Sequence, residues 1–243
     1  MKILVDFKNH FLDTNIILAI ILPNDESFYE SNKYFEYSNH NKFFSNNAFK
    51  EAKGVINRFR KITLKILLHI DDYLSNNLIN LNNVSIHLTK LKNEILKKYD
   101  QIEFPFGIKN EKFNNCVIKF IDNQKIIISE ILVDDDSLKL NDLKNDVIVS
   151  FKKLNQDLRN FIVNLNCISF TESGNYVKKL LEIDDIHEND AILIDESFHL
   201  SKMINNPLAF ITFDNGILNS YDEILEILSS NVYIFKPTHF VDN

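Results

Sequence analysis

The chain has 243 residues, 45% hydrophobic and 25% charged, a globular composition with room for one large domain or two small ones. A formal net charge of −7 excludes a general basic coat for nucleic acid, so any such contact must be a local patch or run through cations. Four scattered glycines exclude a Gly-rich phosphate loop or dinucleotide fingerprint, and Cys116 and Cys167 match no zinc spacing, which fits a reduced, cytoplasmic protein.

The first apolar run, Ile16 to Leu22, is far shorter than the ~20 residues that span a bilayer, and no basic or small-residue flanks frame it. No targeting or membrane segment is expected. Phe11 and Leu12 close a buried strand, and a helix runs from Ile16 through Ile20, with Asp13 between the two. A lone carboxylate is costly inside a core, but it is well placed at the C-terminal tip of a strand, where open α/β sheets bind ligands. Phe43 to Ser45 is a short second strand, and Asn47 to Phe59 a helix with Ala48, Val55, Ile56 and Phe59 on its apolar face.

From Lys61 to Asn164 the texture changes. Ile62, Leu64, Ile66, Leu67 and Ile70, then Leu88, Leu91, Ile95 and Leu96, recur at helical spacing. Phe104-Pro105-Phe106-Gly107 is a break, and Asp134 to Ser137 a turn that caps the next helix. From residue 165 the order is β-α-α-β-α-β. The strands are Cys167–Phe170, Leu208–Thr212 and Val232–Phe235, and the helices Gly174–Leu181, Asp190–Met203 and Tyr221–Leu228. Alternating strands and helices imply an α/β fold with a parallel sheet, here a single domain over 1–243 that carries a helical insertion at 61–164.

Four acids have comparable settings. Asp13 and Asp214 follow strand tips, while Glu51 and Asp190 lie in the first turns of helices that follow strands. On one rim of a parallel sheet they would repel unless protonated or bridged by cations, and oxygen-only ligands suit Mg²⁺ or Mn²⁺. Glu188 is an alternative to Asp190. Lys50, Lys53, Arg58, Arg60, Lys61 and Lys65 form a basic run that begins on the Glu51 helix, either a solvated face or a strip that tracks phosphates, with Lys53 and Arg58 as substrate contacts. Glu196-Ser197-Phe198-His199 matches the Glu-x-x-His pattern of di-iron bundles, but that pattern needs a second copy and none is present.

Phe11-Leu12-Asp13-Thr14-Asn15, Ser45 with Glu51, Asn189-Asp190-Ala191-Ile192-Leu193 and Ile211-Thr212-Phe213-Asp214 resemble, in this order, the four acidic motifs of the PIN domain. PIN domains are metal-dependent nucleases of RNA-processing factors and of toxin–antitoxin systems. The resemblance covers roughly 1–60 and 165–243, and a last strand that runs into Lys236-Pro237 fits it. It implies a PIN-like three-layer fold with sheet order 3-2-1-4-5 and hydrolysis of single-stranded RNA. It also implies Asp13, Glu51, Asp190 and Asp214 as catalytic metal ligands for Mg²⁺ or Mn²⁺, with Thr14, Asn15 and Thr212 as supports that face the substrate. RNA is then the expected partner, and an antitoxin, another protein or a second copy of the chain is compatible with it. The long insertion departs from compact family members. Two rival readings are a non-catalytic PIN-like binding module and a structure-specific DNA nuclease. The complete set of four acids argues against the first. The lack of a DNA-binding helical element or of further acids argues against the second.

Overall fold

A computed structural model describes residues 7–22, 25–77, 83–100, 118–134, 137–170, 174, 176–228 and 231–241. Among them five strands make one all-parallel sheet, and helices flank it. The strands are β1 (Asn9–Leu12), β2 (Asn41–Ser45), β3 (Asn166–Ile168), β4 (Leu208–Ile211) and β5 (Val232–Phe235). Their spatial order is β3-β2-β1-β4-β5, the expected order. The central strands are the most apolar: β4 is buried at all four residues and β1 at three. Parallel strands covered on both faces need such runs rather than alternation.

In chain order the helices are α1 (Thr14–Ile21), α2 (Phe28–Tyr37), α3 (Asn46–Asn76), α4 (Val84–Asp100), α5 (Lys125–Asp134), α6 (Ser137–Val163), α7 (Val177–Leu180), α8 (Glu188–Met203), α9 (Asn215–Asn219) and α10 (Tyr221–Leu228), before a 3₁₀ turn at Pro237–Phe240. Several differ from the sequence expectation. Helix α2 has no counterpart in it, because its ten residues include only two buried ones, Ser31 and Tyr34, and show no apolar stripe. Helix α3 does not stop at Phe59 but runs 31 residues. Helix α1 starts at Thr14, two residues early, because the Asp13 side chain accepts the Thr14 N–H and caps it. Helix α8 starts at Glu188 rather than Asp190, α7 is shorter than Gly174–Leu181, and α9 has no counterpart among the expected elements. The Phe104–Gly107 break, Asp135, Asp136 and Cys116 lie outside the described residues, while α6 does begin at Ser137.

The chain divides into two units, Met1–Ile56 with Lys153–Asn243, and Asn57–Lys152. The first holds the sheet. Its core includes Phe11, Leu12, Ile17, Phe44, Ile194 and Phe210, all with 0% exposure. Burying each such side chain stabilises the fold by about 1.5–3 kcal/mol. The second unit has its own core of Ile66, Leu67, Ile70, Leu91, Ile128 and Ile131, drawn from α3, α4 and α5. Among the described residues no helix is long and apolar enough to cross a membrane.

Candidate functional site

Strand register sets the rim. Leu12 pairs with Ile211 and Phe11 with Phe43, so Asp13, Thr212 and Ser45 follow at one level at the C-terminal ends of β1, β4 and β2. The Asp13 N–H donates to the Ile211 carbonyl at 3.0 Å, which extends the ladder by one residue and holds Asp13 against β4.

From Asp13 a web of hydrogen bonds reaches every acidic motif. Its Oδ1 accepts the Thr14 N–H at 2.6 Å. Its Oδ2 accepts the Thr212 hydroxyl at 2.6 Å and the Asn15 amide at 2.7 Å. Thr212 Oγ1 in turn accepts the Asp214 N–H at 2.8 Å and the Asn15 amide at 3.1 Å, while Asn15 Oδ1 accepts the Phe213 N–H. On the other side the Thr14 hydroxyl donates to Glu51 Oε2 at 2.7 Å, and the Asn189 amide to Glu51 Oε1 at 3.0 Å. Asn189 precedes Asp190 on α8. Thr14, Asn15 and Thr212 are thus each hydrogen-bonded to one of these acids.

The charges are coupled as well. Burial pushes the Asp13 carboxyl up to about 7 against the opposing Thr212 bond, and the charges of Asp190 and Glu51 push the same way. Burial raises Asp190 to about 6 against the His187 backbone bond, and Asp214 and Glu51 add to the rise. Each of the four acids therefore acts on another, or is acted on, at this rim.

Two of them are also turned to their own helix starts. Asp214 caps α9, its Oδ1 accepting the Gly216 and Ile217 N–H groups at 2.7 and 3.2 Å. Asp190 Oδ2 reaches back to the His187 N–H at 3.2 Å. Accordingly, among the described residues no three His, Cys, Asp or Glu side chains form a group that could hold a metal ion as they stand. The donor chemistry still suits a hard divalent cation, since all the donors are oxygens and carboxylates predominate. Of the basic run, Lys50 and Lys53 are exposed on the first turns of α3 in the first unit. In the second unit Arg60, Lys61 and Lys65 are exposed and Arg58 is half-buried.

Sequence reasoning missed two buried acids on α8. Asp195 has 0% exposure and accepts the N–H groups of Gly174 and Tyr176 at 2.6 and 3.0 Å, with His199 Nε2 at 3.6 Å. Glu196 is 2% exposed and its Oε1 accepts the Asn47 amide at 2.7 Å. Burial pushes its carboxyl above the ordinary range, against Ser45 and Asn47, with Asp195 raising it further and Lys50 lowering it. Glu196 and His199 therefore face different partners. The available signal was that α8 carries apolar residues all round, with Ala191, Ile192, Leu193 and Ile194 in succession followed by Phe198 and Leu200, so its charges cannot all be solvated.

No family model, no curated protein and no solved structure matches this chain.

Proposed function

We propose that the chain is a PIN-like, Mg²⁺- or Mn²⁺-dependent endoribonuclease acting on single-stranded RNA. The observation that carries this reading is the continuous web Asp214–Thr212–Asp13–Thr14–Glu51–Asn189, which ties all four acidic motifs to one sheet rim. A structural rim does not need clustered carboxylates, and the burial that raises Asp13 and Asp190 works against keeping them there as anions.

In this reading Asp13, Glu51, Asp190 and Asp214 hold the cation, which supplies water activation and charge stabilisation on the phosphodiester. Thr212 and Asn15 fix the Asp13 carboxylate, and Thr14 and Asn189 fix Glu51. Asp190 and Asp214 must share or release their bonds to His187 and Gly216. Lys50 and Lys53, exposed beside Glu51 on α3, attract the RNA backbone in a chain that is otherwise acidic.

The test is cleavage of a labelled single-stranded RNA in Mn²⁺, together with a Mg²⁺ titration followed through the backbone amides. Wild type is expected to cleave, Asp13→Asn and Asp190→Asn to lose cleavage, and the Thr14, His187 and Gly216 amides to shift with metal. No cleavage by wild type and no amide shift at millimolar Mg²⁺ overturns the reading. The rival supported by a specific observation is a non-catalytic binding module, since among the described residues no three acids form a group that could hold an ion as they stand. RNA binding without metal dependence is its signature.

A further inference from the structure

Helices α3 and α8 are stitched together at two depths. At the rim the Asn189 amide donates to Glu51. Deeper, at 2% exposure, Glu196 accepts the Asn47 amide at 2.7 Å. Asn47 and Glu51 are four residues apart, hence on one face of α3, and Asn189 and Glu196 are both on α8. The start of α3 is fixed from beneath too: Ser45, fully buried, takes the Ala48 N–H on its hydroxyl at 3.1 Å.

Glu196 is an odd residue for a merely structural clamp. Its Oε2 is buried and makes no well-aligned hydrogen bond among the described residues, the Ser45 hydroxyl being the polar group beside this carboxyl other than Asn47. A carboxyl so deep and so incompletely satisfied is destabilising, and an apolar side chain would pack there without that loss. Such a group persists where geometry matters more than stability. What this bond fixes is the turn of α3 that leads into Glu51.

We infer that Glu196 is a positioning residue, which through Asn47 sets the register of the first two turns of α3 against α8 and so holds Glu51 within reach of Thr14 and Asn189. The metal-affinity part of this inference rests on the nuclease reading; the positioning part does not. Glu196 touches none of the four acids and takes no part in the chemistry itself.

Three variants test it: Asn47→Ala, Glu196→Leu and Glu196→Gln. The metal-free readout is the side-chain amide resonance of Asn189, which reports its bond to Glu51, with hydrogen exchange at the Glu51 backbone. In Asn47→Ala and Glu196→Leu the Asn189 signal is expected to move to its solvent-exposed position and exchange at Glu51 to rise by roughly tenfold. Glu196→Gln keeps an oxygen acceptor for Asn47 and is expected to restore both. Mn²⁺ dissociation is expected to follow, about tenfold weaker in the first two variants and within twofold of wild type in Gln. A role in packing alone lowers the melting temperature and leaves the Asn189 resonance in place. That result in folded Asn47→Ala overturns the inference, as does a Gln variant no better than Leu. If Glu196→Leu does not fold, Asn47→Ala breaks the same bond from a half-buried position. If wild type binds no Mn²⁺ the nuclease reading falls, and the Asn189 resonance still decides the positioning role.

Discussion

Thr212 carries more of the rim than its size suggests. One buried hydroxyl donates to Asp13, accepts the Asp214 N–H and accepts the Asn15 amide. Valine has the same shape but no hydroxyl, so Thr212→Val strands the Asp214 N–H and leaves Asp13 Oδ2 with the Asn15 amide alone. Each stranded buried polar group is destabilising by about 1–3 kcal/mol. Thr212→Val is expected to lower stability by that order in chemical denaturation, and Thr212→Ser to recover most of it. A valine variant as stable as wild type would mean the web is decorative. Asp214→Asn asks a different question of the same corner. Asparagine also caps helices well, so the α9 start survives while one of the clustered negative charges is removed. The variant is expected to melt higher than wild type without metal and to gain less from Mn²⁺. A lower melting point, with equal Mn²⁺ shifts in both proteins, would make Asp214 a capping residue only. The acid at Asp13 was legible in the sequence because a carboxylate directly after an apolar strand is costly in a core and favourable at a strand tip. Asp195 and Glu196 were not legible. A charge inside a helix reads as solvated until the burial of every face is known.

At the scale of elements, the entry to α9 depends on a residue without a side chain. A Cβ at Gly216 would lie 2.8 Å from the Asp185 carbonyl and 3.0 Å from Asp214 Oδ1. The first is rigid backbone, so the Asp185 segment or the helix start must move. Gly216→Ala is therefore expected to destabilise by about 1–3 kcal/mol despite the better helix propensity of alanine. It should also weaken the Asp214 cap, visible as faster amide exchange at the next residue, Ile217. Unchanged stability would show that the Asp185 segment yields freely. Asp-Asn-Gly is equally good turn chemistry, and the close approach that makes it a helix start is tertiary, so sequence alone does not reveal α9. The strands were easier. Short apolar runs bounded by polar residues mark all five, with ends shifted by at most two residues. The reach of α3 past Phe59 was missed because the change of texture near Lys61 reads as the end of an element, whereas one unbroken helix carries the chain from the first unit into the second.

Across the sheet unit as a whole, two buried groups on β1 and its tip act on stability in opposite senses as pH changes. Asp13 is raised from 3.8 to about 7 by burial, so the folded state keeps a proton that the unfolded chain releases. Its contribution is complete below pH ~4 and is lost as pH rises through ~7. Asp190, raised to about 6, acts in the same sense. His10 is the reverse. It has 0% exposure, with Nδ1 2.7 Å from the Tyr34 hydroxyl and its ring stacked on His40. Burial lowers it from 6.5 to about 3, with the His40 and Lys42 charges adding to the fall, so its contribution is present above pH ~6.5 and lost as pH falls through ~3. Between pH ~4 and ~6 the rising His10 contribution offsets only one of the two falling acid contributions, and the metal-free wild type is expected to lose stability as pH rises there. Substitution separates them. Measured in chelator as the difference from wild type, Asp13→Asn is expected to gain stability steadily from pH ~4 to ~7. His10→Phe is expected to gain it as pH falls from ~6.5 to ~3.5, with a constant offset for the lost Tyr34 bond. A shift of about three units corresponds to ~4 kcal/mol, so each difference should reach roughly 10 °C in melting temperature across its window for a chain of this length. Added Mn²⁺ should abolish the Asp13 slope and leave that of His10 untouched, because only the acid lies at the proposed metal rim. If both variants track wild type at every pH, neither group is as buried in solution as its place in the sheet requires.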